Sequence, residues 1–140
     1  MSNNNVLSSF SVFRRELTLL AATKLKELGF GKSQMIVLYQ LSLAPASMGE
    51  LSDHLQSDPS AATRTVAALK KAGWVRSASD HADRRRTLIE LTAKGRKKAV
   101  LANELRNYIS EKLEETLTLQ EQNKLAELLT KSALGLKDLR

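Results

Sequence analysis

Apolar residues recur at three- and four-residue steps along most of the chain, and only between Gly73 and Thr92 does the period change. That single interruption is the strongest constraint on the fold, because a 3.6-residue period specifies amphipathic helices and alternation specifies strands. Phe10, Phe13, Leu17, Leu20, Leu25 and Leu28 form the stripe of a first long helix, which Gly29 and Gly31 stop. Glycine readily takes the positive φ that a helix exit needs. A second helix runs from about Ser33, with Ile36, Val37, Leu38 and Leu41 turned inward, and ends before Pro45. Ser47-Met48-Gly49-Glu50 reads as a capping box: Ser47 accepts from a free backbone N–H while Glu50 reaches back to the cap. It opens a short third helix anchored by Leu51 and Leu55. Asp58-Pro59 opens a fourth, with Asp58 as N-cap and Pro59 at the first helical position, where its missing N–H costs nothing. Val66 and Leu69 form its apolar side and Gly73 ends it.

In the interrupted segment, Val75 to Ser79 and Thr87 to Leu91 read as two short strands around a polar connection, residues 80–86. This loop is longer than a tight hairpin turn and should project as a flap. Thr92 caps a fifth helix along which Leu101, Leu105, Ile109, Leu113 and Leu117 repeat every four residues. Thr118 and Glu121 make a second capping box, opening a last helix that bears Leu125, Leu128, Leu129, Leu136 and Leu139. The expected fold class is mainly α (α+β), in one domain over residues 1–140. A lobe at about 33–92 is flanked by long helices at about 6–29 and 93–139.

The formal net charge of +7 is concentrated in one place. Residues 61–98 hold 11 of the 22 Lys and Arg but only Asp80, Asp83 and Glu90 as acids, whereas the remainder of the chain is close to neutral. A basic excess confined to one segment suits a polyanion partner. Other classes are excluded. No apolar run approaches the roughly 20 residues that span a bilayer, so no membrane partner is expected. The polar start lacks a secretory pattern, and cytoplasmic residence is expected by default. The chain contains no cysteine, which removes disulfides, thiol nucleophiles and thiolate metal sites. Its two histidines, His54 and His81, do not have zinc-site spacing. No nucleophile motif or glycine-rich phosphate loop is present, so the expectation is no enzyme, no cofactor and no metal.

A short capped helix, a tight turn and a second capped helix, with a basic flap directly behind, specify a winged helix-turn-helix. The second helix of such a unit lies in the major groove with its N-terminal residues nearest the bases. Here that end carries Ser60, Ala61, Thr63 and Arg64. Small side chains allow close backbone approach, and Ser, Thr and Arg supply donors. Arg64 takes either a guanine edge or a phosphate. In the flap, Asp83 precedes Arg84, Arg85 and Arg86. An arginine at such a tip can enter the narrow minor groove, and an aspartate two residues earlier can brace its guanidinium. Trp74 reads as a core residue of the wing rather than a stacking platform.

The stretch from Leu51 to Leu55, and that from Thr63 through Leu69 and Gly73 to Val75, resembles the DNA-binding core of the multiple-antibiotic-resistance regulator (MarR) family. Asp83-Arg84-Arg85-Arg86-Thr87-Leu88-Ile89-Glu90-Leu91-Thr92-Ala93-Lys94-Gly95-Arg96 is similar to that family's wing and the start of its next helix. The resemblance implies a homodimer whose first, fifth and sixth helices interleave. It also implies two recognition helices roughly 34 to 36 Å apart on a pseudo-palindrome of double-stranded DNA. By position, Ser60, Thr63 and Arg64 match recognition-helix contacts, and Asp83 with Arg85 matches the wing aspartate and its minor-groove arginine. It further implies transcriptional regulation, mainly repression, with a small-molecule effector of unknown identity. Three positions depart from the pattern: Met35 stands where an aromatic is usual, His81 replaces a frequent proline, and aromatic content is only 4%. The rival expectation is an interaction module that uses the winged fold to dock on a protein or another surface.

Overall fold

The computed structural model of the chain describes residues 5–55 and 59–140. Among them, six helices and two strands follow in order: α1 (Val6–Leu28), α2 (Lys32–Leu43), α3 (Met48–Leu55), α4 (Pro59–Lys71), β1 (Val75–Ser79), β2 (Thr87–Leu91), α5 (Ala93–Thr116) and α6 (Leu119–Lys137). The expected alternation of helices and flap is the one observed. Asp58, expected to cap α4, lies outside the described residues.

Local chemistry sets the ends of these elements. Asn5 caps α1 by accepting from the Leu7 N–H at 3.0 Å, and Gly29 ends it at φ 80°. At the far end of α4, Gly73 adopts φ 79°. Its N–H donates to the Lys70 carbonyl at 2.9 Å while the Trp74 N–H reaches the Leu69 carbonyl at 3.0 Å. This pair of bonds is a Schellman exit, which satisfies carbonyls that the helix leaves open and aims the chain into β1. The capping box at α6 forms in both directions: Glu121 N–H to Thr118 Oγ1 at 3.2 Å, and Thr118 N–H to Glu121 Oε1 at 3.0 Å.

The box expected at α3 forms by half. The Glu50 N–H donates to Ser47 Oγ at 3.2 Å, but the Glu50 carboxylate turns away from the cap and pairs with Arg86. A guanidinium offers the carboxylate a full opposite charge and several N–H donors, against the single neutral N–H of the cap.

The chain divides into two compact units, residues 1–105 and residues 106–140. In the first, α2 packs on α3, α4 and β2, and α4 packs on β1. Val37, Leu38, Leu51, Ala62, Val66, Leu69 and Ile89 are its buried centre. β1 and β2 pair antiparallel with Val75 opposite Leu91 and Ser77 opposite Ile89. Directly opposed residues share a face, so Val75, Ile89 and Leu91 go into the core while Arg76 and Glu90 meet outside, Nε to Oε1 at 2.8 Å. Ala46 adds a third strand position, exchanging two backbone hydrogen bonds with Ile89 at 3.1 and 2.7 Å. That bridge ties the wing to the segment entering α3. The second unit contains the end of α5 and all of α6, and no residue of α6 is buried. None of the described helices is long and apolar enough to cross a membrane.

Candidate nucleic-acid interface

The N-terminal half of α4 presents Ser60, Thr63 and Arg64 as exposed residues, with Ala61 half-buried between them. The spacing follows from the helix. Ala62, Val66 and Leu69 are buried at three- and four-residue steps, so Ser60, Thr63 and Arg64 fall on the outward side. Thr63 donates its hydroxyl to the Pro59 carbonyl at 2.9 Å, and Thr65 donates to the Ala61 carbonyl at 3.1 Å. These back-bonds occupy the hydroxyl protons and leave the Thr63 oxygen as an acceptor. Among the described residues, Arg64 makes no ion pair or hydrogen bond through its guanidinium. The partial positive charge at a helix start favours anions nearby.

The wing is built as a closed loop. The Asp80 N–H donates to the Arg86 carbonyl at 3.0 Å and the Arg86 N–H to the Asp83 carbonyl at 2.9 Å. Two aspartates bend the chain between these bonds by accepting from backbone groups two residues ahead: Asp80 Oδ1 from the Ala82 N–H at 2.9 Å, and Asp83 Oδ1 from the Arg85 N–H at 3.1 Å. This Asx geometry needs a side chain of Asp or Asn length at both positions. Asp83 Oδ1 also accepts from Arg85 Nε at 3.3 Å, while the Arg85 side chain remains 94% exposed. The brace therefore leaves the guanidinium edge open to solvent.

The three arginines have different surroundings. Arg85 is braced and exposed; Arg84 is exposed and has no ion-pair or hydrogen-bond partner among the described residues. Arg86 is held between two carboxylates, Glu50 of α3 and Asp80, the second at 3.8 Å. The sequence groups the three as one basic run, and only the folded loop separates them.

Behind the wing, α5 starts against the turn that ends α4. Thr92 Oγ1 donates to the Gly73 carbonyl at 2.6 Å and accepts from the Gly95 N–H at 3.1 Å, while the Thr92 N–H donates to the Trp74 carbonyl at 3.0 Å. A Cβ on Gly95 would run into that Trp74 carbonyl, so only glycine fits. Lys94 Nζ donates to the Ala72 carbonyl at 3.3 Å, and Lys98 lies 5.1 Å from the Trp74 ring centre. Phe30 meets the same ring edge-on at 6.4 Å. Trp74 is thus a packing residue at the back of the wing. Sequence reasoning passed over this lock, although a glycine in the first turn of a helix is a signal for close backbone approach. His54 is exposed on α3. Among the described residues no cluster of His, Asp and Glu could hold a metal ion.

The MarR family model matches residues 28–86, from the end of α1 to the base of the wing. No curated protein matches significantly. Among solved structures, a cysteine mutant of MarR from E. coli complexed with operator DNA is 26% identical. It superposes with a TM-score of 0.74 over 89% of this chain and 91% of that one. NadR in complex with 4-hydroxyphenylacetate is 21% identical, with a TM-score of 0.79 and 95% of each chain covered. The transcriptional regulator BldR from Sulfolobus solfataricus is 24% identical, with a TM-score of 0.70 over 90% of this chain and 92% of that one. The helix-turn-helix, β1 and the wing loop lie inside the segment that the MarR family model matches, and the chain around them has the winged helix-turn-helix fold of these MarR-family transcriptional regulators.

Proposed function

We propose that the protein represses transcription as a homodimer on a pseudo-palindromic duplex operator, with α4 in the major groove and the wing in the adjacent minor groove. The observation that carries this reading is Arg85, 94% exposed at the tip of a closed loop and held by Asp83. An arginine presented in one orientation loses little freedom when it enters the narrow groove, where negative potential is concentrated. Ser60, Thr63 and Arg64 supply the major-groove contacts, Ala61 lets the backbone approach, and Arg84 takes a phosphate. MarR of E. coli, similar over most of its length, has been captured with operator DNA. A regulator of this kind works where the chromosome is, in the cytoplasm.

The homodimer is supported by the apolar residues that α1 and α6 leave uncovered, Phe10, Phe13, Leu128 and Leu136 among them. An effector is supported by NadR, which binds 4-hydroxyphenylacetate. In the present chain an open groove of about 300 Å³, between the end of α2, β2 and the start of α5, is large enough for a small molecule.

The test is binding to a randomised duplex pool, followed by enrichment and sequencing. Two half-sites about one helical turn apart are expected. Arg85→Ala should then weaken operator binding about five- to 150-fold, or roughly 1–3 kcal/mol. Salt-sensitive binding with no enriched sequence would favour instead a surface-binding module.

A further inference from the structure

We propose that Arg86 is not a DNA contact but a strut, and that Glu50 is its anchor: together they set the angle of the wing against the helix-turn-helix. This rests on the operator-binding reading above. Three observations carry it. Arg86 sits at the base of the wing, where its N–H and carbonyl close the loop on Asp83 and Asp80. Its guanidinium lies between Glu50 and Asp80, so one side chain joins α3 to both strands' ends. Glu50 is itself held in place, because its N–H is bound by Ser47 Oγ at 3.2 Å while its carboxylate is released from the cap for Arg86.

Charge explains why the pairing matters. Glu50 and Asp80 are acids in the part of the molecule that must approach a polyanion, and unpaired they would repel it. Arg86 cancels that repulsion. It also adds a side-chain tie to the Ala46–Ile89 backbone bridge between this hairpin and the entry to α3. Core packing of Val75, Ile89 and Leu91 and the backbone bridge hold the strands, and the Arg86 tie fixes the loop end beyond them. The reach of Arg85 relative to α4 is then determined by a residue next to it that touches no DNA.

The two roles for Arg86 predict opposite signs for one conservative change. If Arg86 bound a phosphate, Glu50→Gln would remove a competing carboxylate and a repulsive charge, and operator binding would tighten. As a strut, Glu50→Gln weakens operator binding roughly two- to five-fold, the range of an exposed ion pair. Arg86→Gln should weaken it similarly while leaving the slope of log affinity against log salt unchanged. Loss of a phosphate contact would reduce that slope by about 0.9 per contact. The exchange Glu50→Arg with Arg86→Glu should recover part of the affinity that Arg86→Glu alone loses, the new carboxylate at position 86 still meeting Asp80. The experiment measures operator and random-duplex affinity of the full chain and these variants at several salt concentrations, with Arg85→Ala alongside. Tighter binding by Glu50→Gln, or a reduced slope for Arg86→Gln, would overturn the strut alone. Absence of any operator preference in the unaltered protein would take down the underlying reading with it.

Discussion

The winged lobe and the terminal helices are built from the same kind of amphipathic sequence, yet they end in opposite states. α4 buries Ala62, Val66 and Leu69 against its neighbours, and Leu51 of α3 is 0% exposed. α6 has a comparable leucine repeat and buries none of it; Leu136 is 67% exposed. α1 lies between these extremes, with Leu25 buried but Phe10 still 49% exposed. The lobe is a finished core, whereas α6 and much of α1 leave their apolar residues uncovered within the chain. An apolar face left open on a helix this long is what a second copy would cover. The same periodicity therefore encodes folding in one region and, in our reading, assembly in the other.

Several measurements would break or sharpen that contrast. The largest effect belongs in the lobe: Leu51→Ala should cost about 2–5 kcal/mol in a denaturant titration. A cost under about 1 kcal/mol would mean the lobe core is not closed. Gly95→Ala should cost roughly 3 kcal/mol, at the upper end for overpacking, because the obstacle is the Trp74 backbone and not a side chain that can swing away. In the terminal region, Leu128→Glu should yield a monomer by sedimentation while the near-ultraviolet signal of Trp74 in the lobe persists. A dimer surviving this change would count against α6 as its interface. Thr92→Ala, which removes both the α5 cap and the bond to the Gly73 carbonyl, should cost about 1 kcal/mol.

The smallest effect concerns the start of α6. The Thr118 backbone N–H, and then its hydroxyl, lower the pKa of Glu121 below the ordinary carboxylate value. A carboxyl whose folded pKa is depressed stabilises the fold above its unfolded pKa, and that contribution is lost as pH falls through the folded value. Acid titration followed by NMR should show the Thr118 amide shifting below the usual glutamate range, and Glu121→Gln should abolish the shift. No difference between the two proteins would remove the capping box from the account.

Much of the interface was legible in the residue order because it depends on local chemistry. The Asp83–Arg85 brace spans two residues, the Gly73 exit needs a positive φ, and the outward positions of α4 follow from three buried ones. Two features were not legible for the same physical reason. Glu50 and Arg86 are 36 positions apart, and Glu50 has an equally sensible local role in the cap. The contact between Gly95 and the Trp74 carbonyl joins the start of one helix to the exit from another, and no periodicity reports a backbone approach of that kind.

The sequence by itself determined the element order, the helix ends, the location of the charge and the family likeness. Each is set within a few residues or by a period of 3.6 or two. Only the tertiary structure decided which arginine of three is free, which carboxylate leaves its cap, and which apolar stripes find a partner within the chain. Those outcomes depend on competition between distant groups for the same atom or surface. Such competition is resolved only when the packed core brings the groups together.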